Sequence, residues 1–189
     1  MKRMTALLLS ILLLTACAHR DDARAFSAFY REAEAVTATA KVDVFSGDTV
    51  LSFTLDYRRA EGETTVTIQQ PESLRGITAK LREGTGSAVF IDYQGVSVET
   101  LLPGIPGFSP MDALHGVLDD VALSLPDAEA TMPLGDIACL RLTFMGEGAA
   151  PALMKQVWLD RETGALRRAE FFVDGRMVMT LGIIALAVI

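Results

Sequence analysis

Apolar and polar residues alternate with a period of two along most of this chain. From Ala35 onward, Ala38, Ala40, Val42 and Val44 fall on one face, and Thr37, Thr39, Lys41 and Asp43 fall on the other. That is the pattern of a half-buried β-strand. A Ser-Gly-Asp turn at 46–48 leads into a second run, in which Leu51, Phe53, Leu55 and Tyr57 oppose Val50, Ser52, Thr54 and Asp56. Two such runs joined by a glycine-containing turn predict a hairpin. A third strand points Val66 and Ile68 inward and stops at Pro71, and a fourth does the same with Ile77, Ala79 and Leu81. Two more short strands follow, at 88–93 and from Val96. Strands resume at 137–146, 153–164, 165–175 and 176–189, with Asp-Arg-Glu-Thr-Gly and Val-Asp-Gly as tight turns between the last three. Strands spaced this closely, with turn residues between them, predict an antiparallel meander.

Two segments depart from this period. At 25–36, Phe26, Phe29, Tyr30 and Ala33 recur at helical spacing, and Asp21 or Asp22 stands ready to cap them. The spacing predicts an amphipathic helix whose aromatic face packs on the sheet. The stretch PGIPGFSP at 103–110 holds three prolines and two glycines, which excludes helix and central strand. After it, Ser109 as N-cap and Pro110 at the first helical position open a helix of about three turns, with Met111, Leu114, Val117 and Leu118 on one face. The last residues, LGIIALAVI, are too few to span a bilayer. Their continuous apolarity predicts a buried final strand covered on both faces. The fold class is therefore mainly β with helices (α+β). It is a strongly curved antiparallel sheet, an unclosed β-barrel covered by the N-terminal helix and the mid-chain helix acting as a lid.

The N-terminus changes the picture of where this domain sits. Lys2 and Arg3 precede an apolar run from Leu7 to Leu14, and small residues follow. This is the layout of a secretory signal and falls short of a transmembrane helix. The run ends in Leu14-Thr15-Ala16-Cys17, which resembles the bacterial lipobox, whose cysteine is lipidated and becomes the first mature residue. The expected organisation is a signal peptide at 1–16, a lipidated Cys17 with a polar tether at 17–24, and one domain at 25–189. Several acyl chains on one cysteine suffice for stable anchoring. The 17 Lys and Arg of the chain include Lys2 and Arg3, so the mature form has 15 against 24 Asp and Glu, a net charge of −9. Such acidity argues against nucleic acid as a partner. With Cys17 lipidated, Cys139 is left without an intramolecular disulfide partner, and the apolar core alone must hold the fold.

The residues offer little catalytic chemistry. His19 lies in the tether and His115 in the lid helix, far apart for a metal site. His115 with Asp112, Asp119 and Asp120 reads more simply as a solvated helix face. Cys139 sits mid-strand between Ala138 and Leu140, as a small buried hydrophobe does. Ser87 is not in a nucleophile elbow, and the glycines around it lack the lysine of a phosphate loop. No catalytic residue, metal ligand or cofactor is expected.

The helix FSAFYREAEAV and the segments FTLDYRRAEGETTVTIQQPESLRGITAKL, SVETLLPGIPGFSPMDALHGVL and VWLDRETGALRRAEFFVDGRMVMTL together resemble the LolA/LolB-type lipoprotein-carrier superfamily over most of 25–185. In its late hairpin, Val157-Trp158-Leu159-Asp160 with Thr163, Gly164 and Glu170 fits the family pattern, while Ala165-Leu166 replaces the usual leucine-proline. The resemblance implies an unclosed barrel with a helical lid and an apolar cavity for acyl chains. It implies no catalytic activity. The lipid anchor places the chain nearer the LolB layout than the LolA one, and the membrane-anchored LolA-like proteins of Gram-positive bacteria match equally well. The resemblance implies a place on the outer face of a bacterial cell membrane, or in an outer membrane facing the periplasm. Partners expected are the membrane, through Cys17, and acyl chains or lipoproteins, with the domain a monomer. Strand parity and the lid helix give Phe53, Leu55, Val66, Ile68, Leu114, Leu118 and Trp158 as cavity residues. Trp158 also reads as a core or rim aromatic. Ile105 and Phe108 are candidates, by location, for the lid or membrane-contact loop. The competing expectation is an envelope interaction or sensing module whose interior is filled by its own side chains.

Overall fold

The computed structural model describes residues 22–82, 88–93, 96–101, 107–146, 148 and 151–189. The expected signal peptide, Cys17 and Ile105 lie outside them. Helix α1 (22–31) begins the described chain and takes in residues 22–24, which the sequence reading gives to the tether. Six strands follow: β1 (Ala35–Ser46), β2 (Thr49–Ala60), β3 (Glu63–Gln70), β4 (Thr78–Arg82), β5 (Ala88–Tyr93) and β6 (Val96–Leu101). Helix α2 (Ala113–Leu123) separates them from β7 (Ala128–Leu134), β8 (Ile137–Met145), β9 (Leu153–Asp160), β10 (Leu166–Val173) and β11 (Arg176–Val188).

Among the described residues the strands form one sheet in the order β6-β5-β4-β3-β2-β1-β11-β10-β9-β8-β7. Every pairing is antiparallel. The two halves of the chain are separate meanders joined at the centre, where β1 pairs with β11. β6 and β7 are the two edges, so the barrel is not closed. The connection from β6 to β7 must pass from one edge to the other, and it carries α2. Two hairpins use a two-residue turn with both residues at positive φ, Glu61 (55°) with Gly62 (74°) and Asp174 (50°) with Gly175 (75°). That conformation matches the right-handed twist of the flanking strands.

The expected alternation holds where it was read most clearly. Ala38, Ala40 and Val42 of β1, Leu55 and Tyr57 of β2, Val66 and Ile68 of β3, and Ala79 and Leu81 of β4 are all buried. They share the concave core with Ala113, Leu114, Val117, Leu118, Val121 and Ala122 of α2. At ~1.5–3 kcal/mol for each fully buried large aliphatic side chain, the four larger residues of α2 hold the helix down. Helix α1 closes one end. The buried Tyr30 hydroxyl donates to the Gly164 carbonyl at 3.0 Å and accepts the Leu166 N–H at 2.7 Å. Burial pushes its pKa up to about 12. Phe29, expected on the packed face, is 42% exposed, because Ala23, Phe26 and Tyr30 carry the contact.

Three other expectations are corrected. Helix α2 starts four residues after Ser109, with Asp112 as its N-cap. Ser109 instead begins the preceding turn, where its carbonyl accepts the N–H of Asp112 and of Ala113. The final strand is not covered on both faces: Ile184 is 64% exposed, and Ala185 and Ala187 are exposed as well. Ile184 lies where the register with β1 shifts, between the Thr39–Ala185 and Ala40–Ile183 pairs, and Ile183, Leu186 and Val188 pack inward. The strand β7 is absent from the sequence reading, because AEATMPL lacks apolar alternation and contains Pro133. As an edge strand it tolerates the missing backbone N–H.

Candidate functional site

The candidate site is the concave face of the sheet beneath α2. Of the seven expected cavity residues, six come together here. Leu55, Val66, Ile68, Leu114 and Leu118 belong to the core, and Phe53 packs against it from nearer the rim. Trp158 does not join them. Its neighbours Val157 and Leu159 are core residues and Trp158, although 93% shielded, is not. Successive residues of a strand point to opposite faces, so Trp158 lies on the convex face. There it sits in register with Arg141 of β8 and Arg168 of β10. All four residues from Val157 to Asp160 are buried, which removes the exposure contrast that marks an inner face.

Ion pairs from two wings of the sheet meet α2. From β2, Arg59 reaches Asp119 at 3.4 Å and also donates to the Tyr30 carbonyl at 3.2 Å. The His115 Nε2 stands 3.3 Å from the same Asp119. From β9, Lys155 Nζ lies 2.7 Å from Asp120. The Ser27 hydroxyl donates to the Ala122 carbonyl at 2.9 Å, tying α1 to the end of α2. His115 and Asp119 are one turn apart on α2, whereas the partners in the Arg59–Asp119, Lys155–Asp120 and Ser27–Ala122 contacts are 35 to 95 residues apart, which no local sequence pattern reveals.

The described part of the Pro/Gly loop is drawn onto the lid. The Asp112 carboxylate accepts the N–H of Gly107 at 2.9 Å, and the N–H and hydroxyl of Ser109 at 2.8 Å each. Phe108 turns toward the core. Its ring meets Phe171 edge-on at 5.5 Å, and the Lys155 ammonium sits 5.6 Å from its centroid. A pocket of about 130 Å³ opens beside this cluster, lined by Phe108, Asp120, Phe144, Leu153, Met154 and Lys155 among others. A shallow groove of about 300 Å³ lies elsewhere, along Thr37, Thr39, Asp56, Ala185 and Ala187.

Cys139 is buried, and burial with the neighbouring Asp160 charge pushes its thiol pKa up, against the opposing effect of Arg167. That is the reverse of what activates a nucleophilic cysteine. The Arg167 guanidinium at 2.6 Å, with the N–H groups of Glu162 and Thr163, holds the Asp160 carboxyl below the usual range and shapes the β9–β10 turn. Among the described residues, no group of three or more His, Cys, Asp or Glu is arranged to hold a metal ion. No described helix is long and apolar enough to cross a membrane.

No family model matches the chain, and no curated protein matches it in sequence. Solved structures do match. An uncharacterized conserved protein from Thermus thermophilus is 11% identical with a TM-score of 0.54, over 90% of this chain and 87% of that one. A DUF1329 family protein from Desulfovibrio piger is 13% identical with a TM-score of 0.51, over 90% and 92%. A LolA superfamily protein from Nitrosomonas europaea is 12% identical with a TM-score of 0.44, over 89% and 92%. At these identities the likeness to the first two is one of fold alone.

Proposed function

We propose that this protein is a noncatalytic, lipid-anchored protein of the bacterial envelope that binds acyl chains, free or on lipidated proteins, between α2 and the concave sheet. Cys17 is the anchor in this reading. It holds the domain on the outer face of the cell membrane, or in the outer membrane on its periplasmic side. Function is then lipid carriage or lipoprotein localisation. The observation that carries the reading is the open sheet, whose apolar concave face is covered by α2. A helix on a long connection can lift, and an acyl chain can take over the contacts of Leu114 and Leu118. The fold shared with carrier-superfamily proteins agrees with this.

The test is to purify the full chain from membranes and to identify bound lipid by native and denaturing mass spectrometry. Stoichiometric fatty acid or phospholipid, and loss of lipid uptake in a Leu114→Asp/Leu118→Asp variant that keeps its β circular dichroism, are the expected results. The second reading, an interaction or sensing module with a packed interior, draws on the small size of the pocket at Lys155, about 130 Å³. Ligand pockets usually measure roughly 300–1,000 Å³. A lipid-free protein that also refuses a fluorescent fatty acid would favour that module.

A further inference from the structure

We infer that Lys155 is the head-group site of the cavity, and that the ligand is an amphiphile with an anionic head, a carboxylate or a phosphate. The inference rests on the acyl-chain reading above and names the chemistry of the ligand.

Lys155 sits on the concave side of β9 in apolar company, beside Phe108, Phe144 and Leu153. Its side chain is only 12% exposed. Two glycines make room for the ammonium. A Cβ on Gly107 would lie 2.9 Å from Lys155 Nζ, and one on Gly116 would lie 3.4 Å from it. The loop and the lid helix therefore close over the cation without filling its place. Its counter-charge, Asp120 at 2.7 Å, belongs to α2.

Lid movement separates the two charges. β9 is an interior strand, bonded to β8 and β10, so Lys155 stays with the sheet. Asp120 leaves with α2. An ammonium on an apolar surface without a partner is costly, and a ligand that carries its own anion replaces the one removed. The acyl tail then follows the apolar surface vacated by Leu114, Val117 and Leu118. Asp120 acts in the closed state as an internal competitor, occupying the place of the ligand's head. A neutral amphiphile fills the same apolar surface but leaves Lys155 unpaired.

The test is equilibrium binding of radiolabelled palmitate, hexadecyl phosphate, hexadecanol and acetate to the full chain. Palmitate and hexadecyl phosphate are expected to bind at least tenfold tighter than hexadecanol, and acetate is expected not to bind. Lys155→Met should remove the preference while hexadecanol still binds, and Lys155→Arg should restore it. Asp120→Asn should tighten palmitate and hexadecanol by the same factor and leave the preference between them unchanged, because either ligand displaces Asp120 from Lys155 when α2 lifts. Equal binding of palmitate and hexadecanol by the wild type, or a preference for palmitate that Asp120→Asn abolishes, overturns the head-group role and leaves the acyl cavity standing. Acetate binding that depends on Lys155 overturns it in favour of a site for small free anions. Failure of every long-chain ligand to bind overturns the acyl-chain reading and this one with it.

Discussion

Affinity should climb steeply with acyl-chain length, because the chain must replace what the lid gives up. Lifting α2 exposes Leu114, Val117, Leu118 and Val121, each at most 4% exposed in the closed structure. At ~1.5–3 kcal/mol per side chain, the cost is about 6–12 kcal/mol, before the ion pairs at Asp119 and Asp120 are counted. A buried methylene returns ~0.8 kcal/mol. An octanoyl chain, with about six methylenes, recovers ~5 kcal/mol and falls short of the lid. A palmitoyl chain, with about fourteen, recovers ~11 kcal/mol and reaches the upper part of the range. Within the range that binds, each added methylene should tighten Kd about fourfold, since ~1.4 kcal/mol is a factor of ten. Isothermal titration of the full chain with C8, C10, C12, C14 and C16 acids measures this directly. Octanoate should show no detectable heat, with affinity rising from about C12. Equal dissociation constants for octanoate and palmitate would refute the reasoning, since the lid helix would then not be displaced by an apolar chain.

Other perturbations follow from the same structure. Tyr30→Phe removes an acceptor from the buried Leu166 N–H and a donor from the Gly164 carbonyl. It should cost about 1–3 kcal/mol, seen as a lower urea midpoint. Gly116→Ala places a Cβ 2.9 Å from the Gly107 Cα, which should cost about 1–3 kcal/mol of stability and loosen the loop, read by faster amide exchange at 107–112. The Asp160 pKa is held down mainly by Arg167, so its contribution is present above the unfolded-state pKa near ~3.9 and is lost as pH falls through the lower folded value. Arg167→Met should therefore flatten the acid limb of a stability–pH curve. Trp158→Phe should leave palmitate affinity unchanged, since Trp158 is on the convex face, and a tenfold loss would contradict that placement. Cys17→Ser should move the chain from the membrane fraction to the soluble fraction, and unchanged membrane association would sink the anchor.

Strand identity in β1 to β3 was legible because one face is wet and the other dry. Contrast of that kind sets both the period and the parity, and it put Leu55, Val66 and Ile68 on the correct side. In β9 the contrast vanishes, since Val157 to Asp160 are all buried. The parity of Trp158 with Gln156 could be read there, but not which face they share. In β11 the opposite error arose. Apolarity implied cover on both faces, whereas Ala185 and Ala187 are exposed on the convex side and Ile184 lies at a register shift.

By itself the sequence determined most of the antiparallel strands, the two helices, the turn residues and most of the apolar residues that pack in the core. Those follow from interactions between neighbours in the chain and from the periodicity of burial. The tertiary structure decided what depends on distant strands meeting. It paired β1 with β11, left β6 and β7 as edges, and laid α2 across the concave face between them. It also brought Arg59 to Asp119 and Lys155 to Asp120. A charged residue looks solvent-facing in a local pattern, and only a partner arriving from another part of the chain can make its burial tolerable.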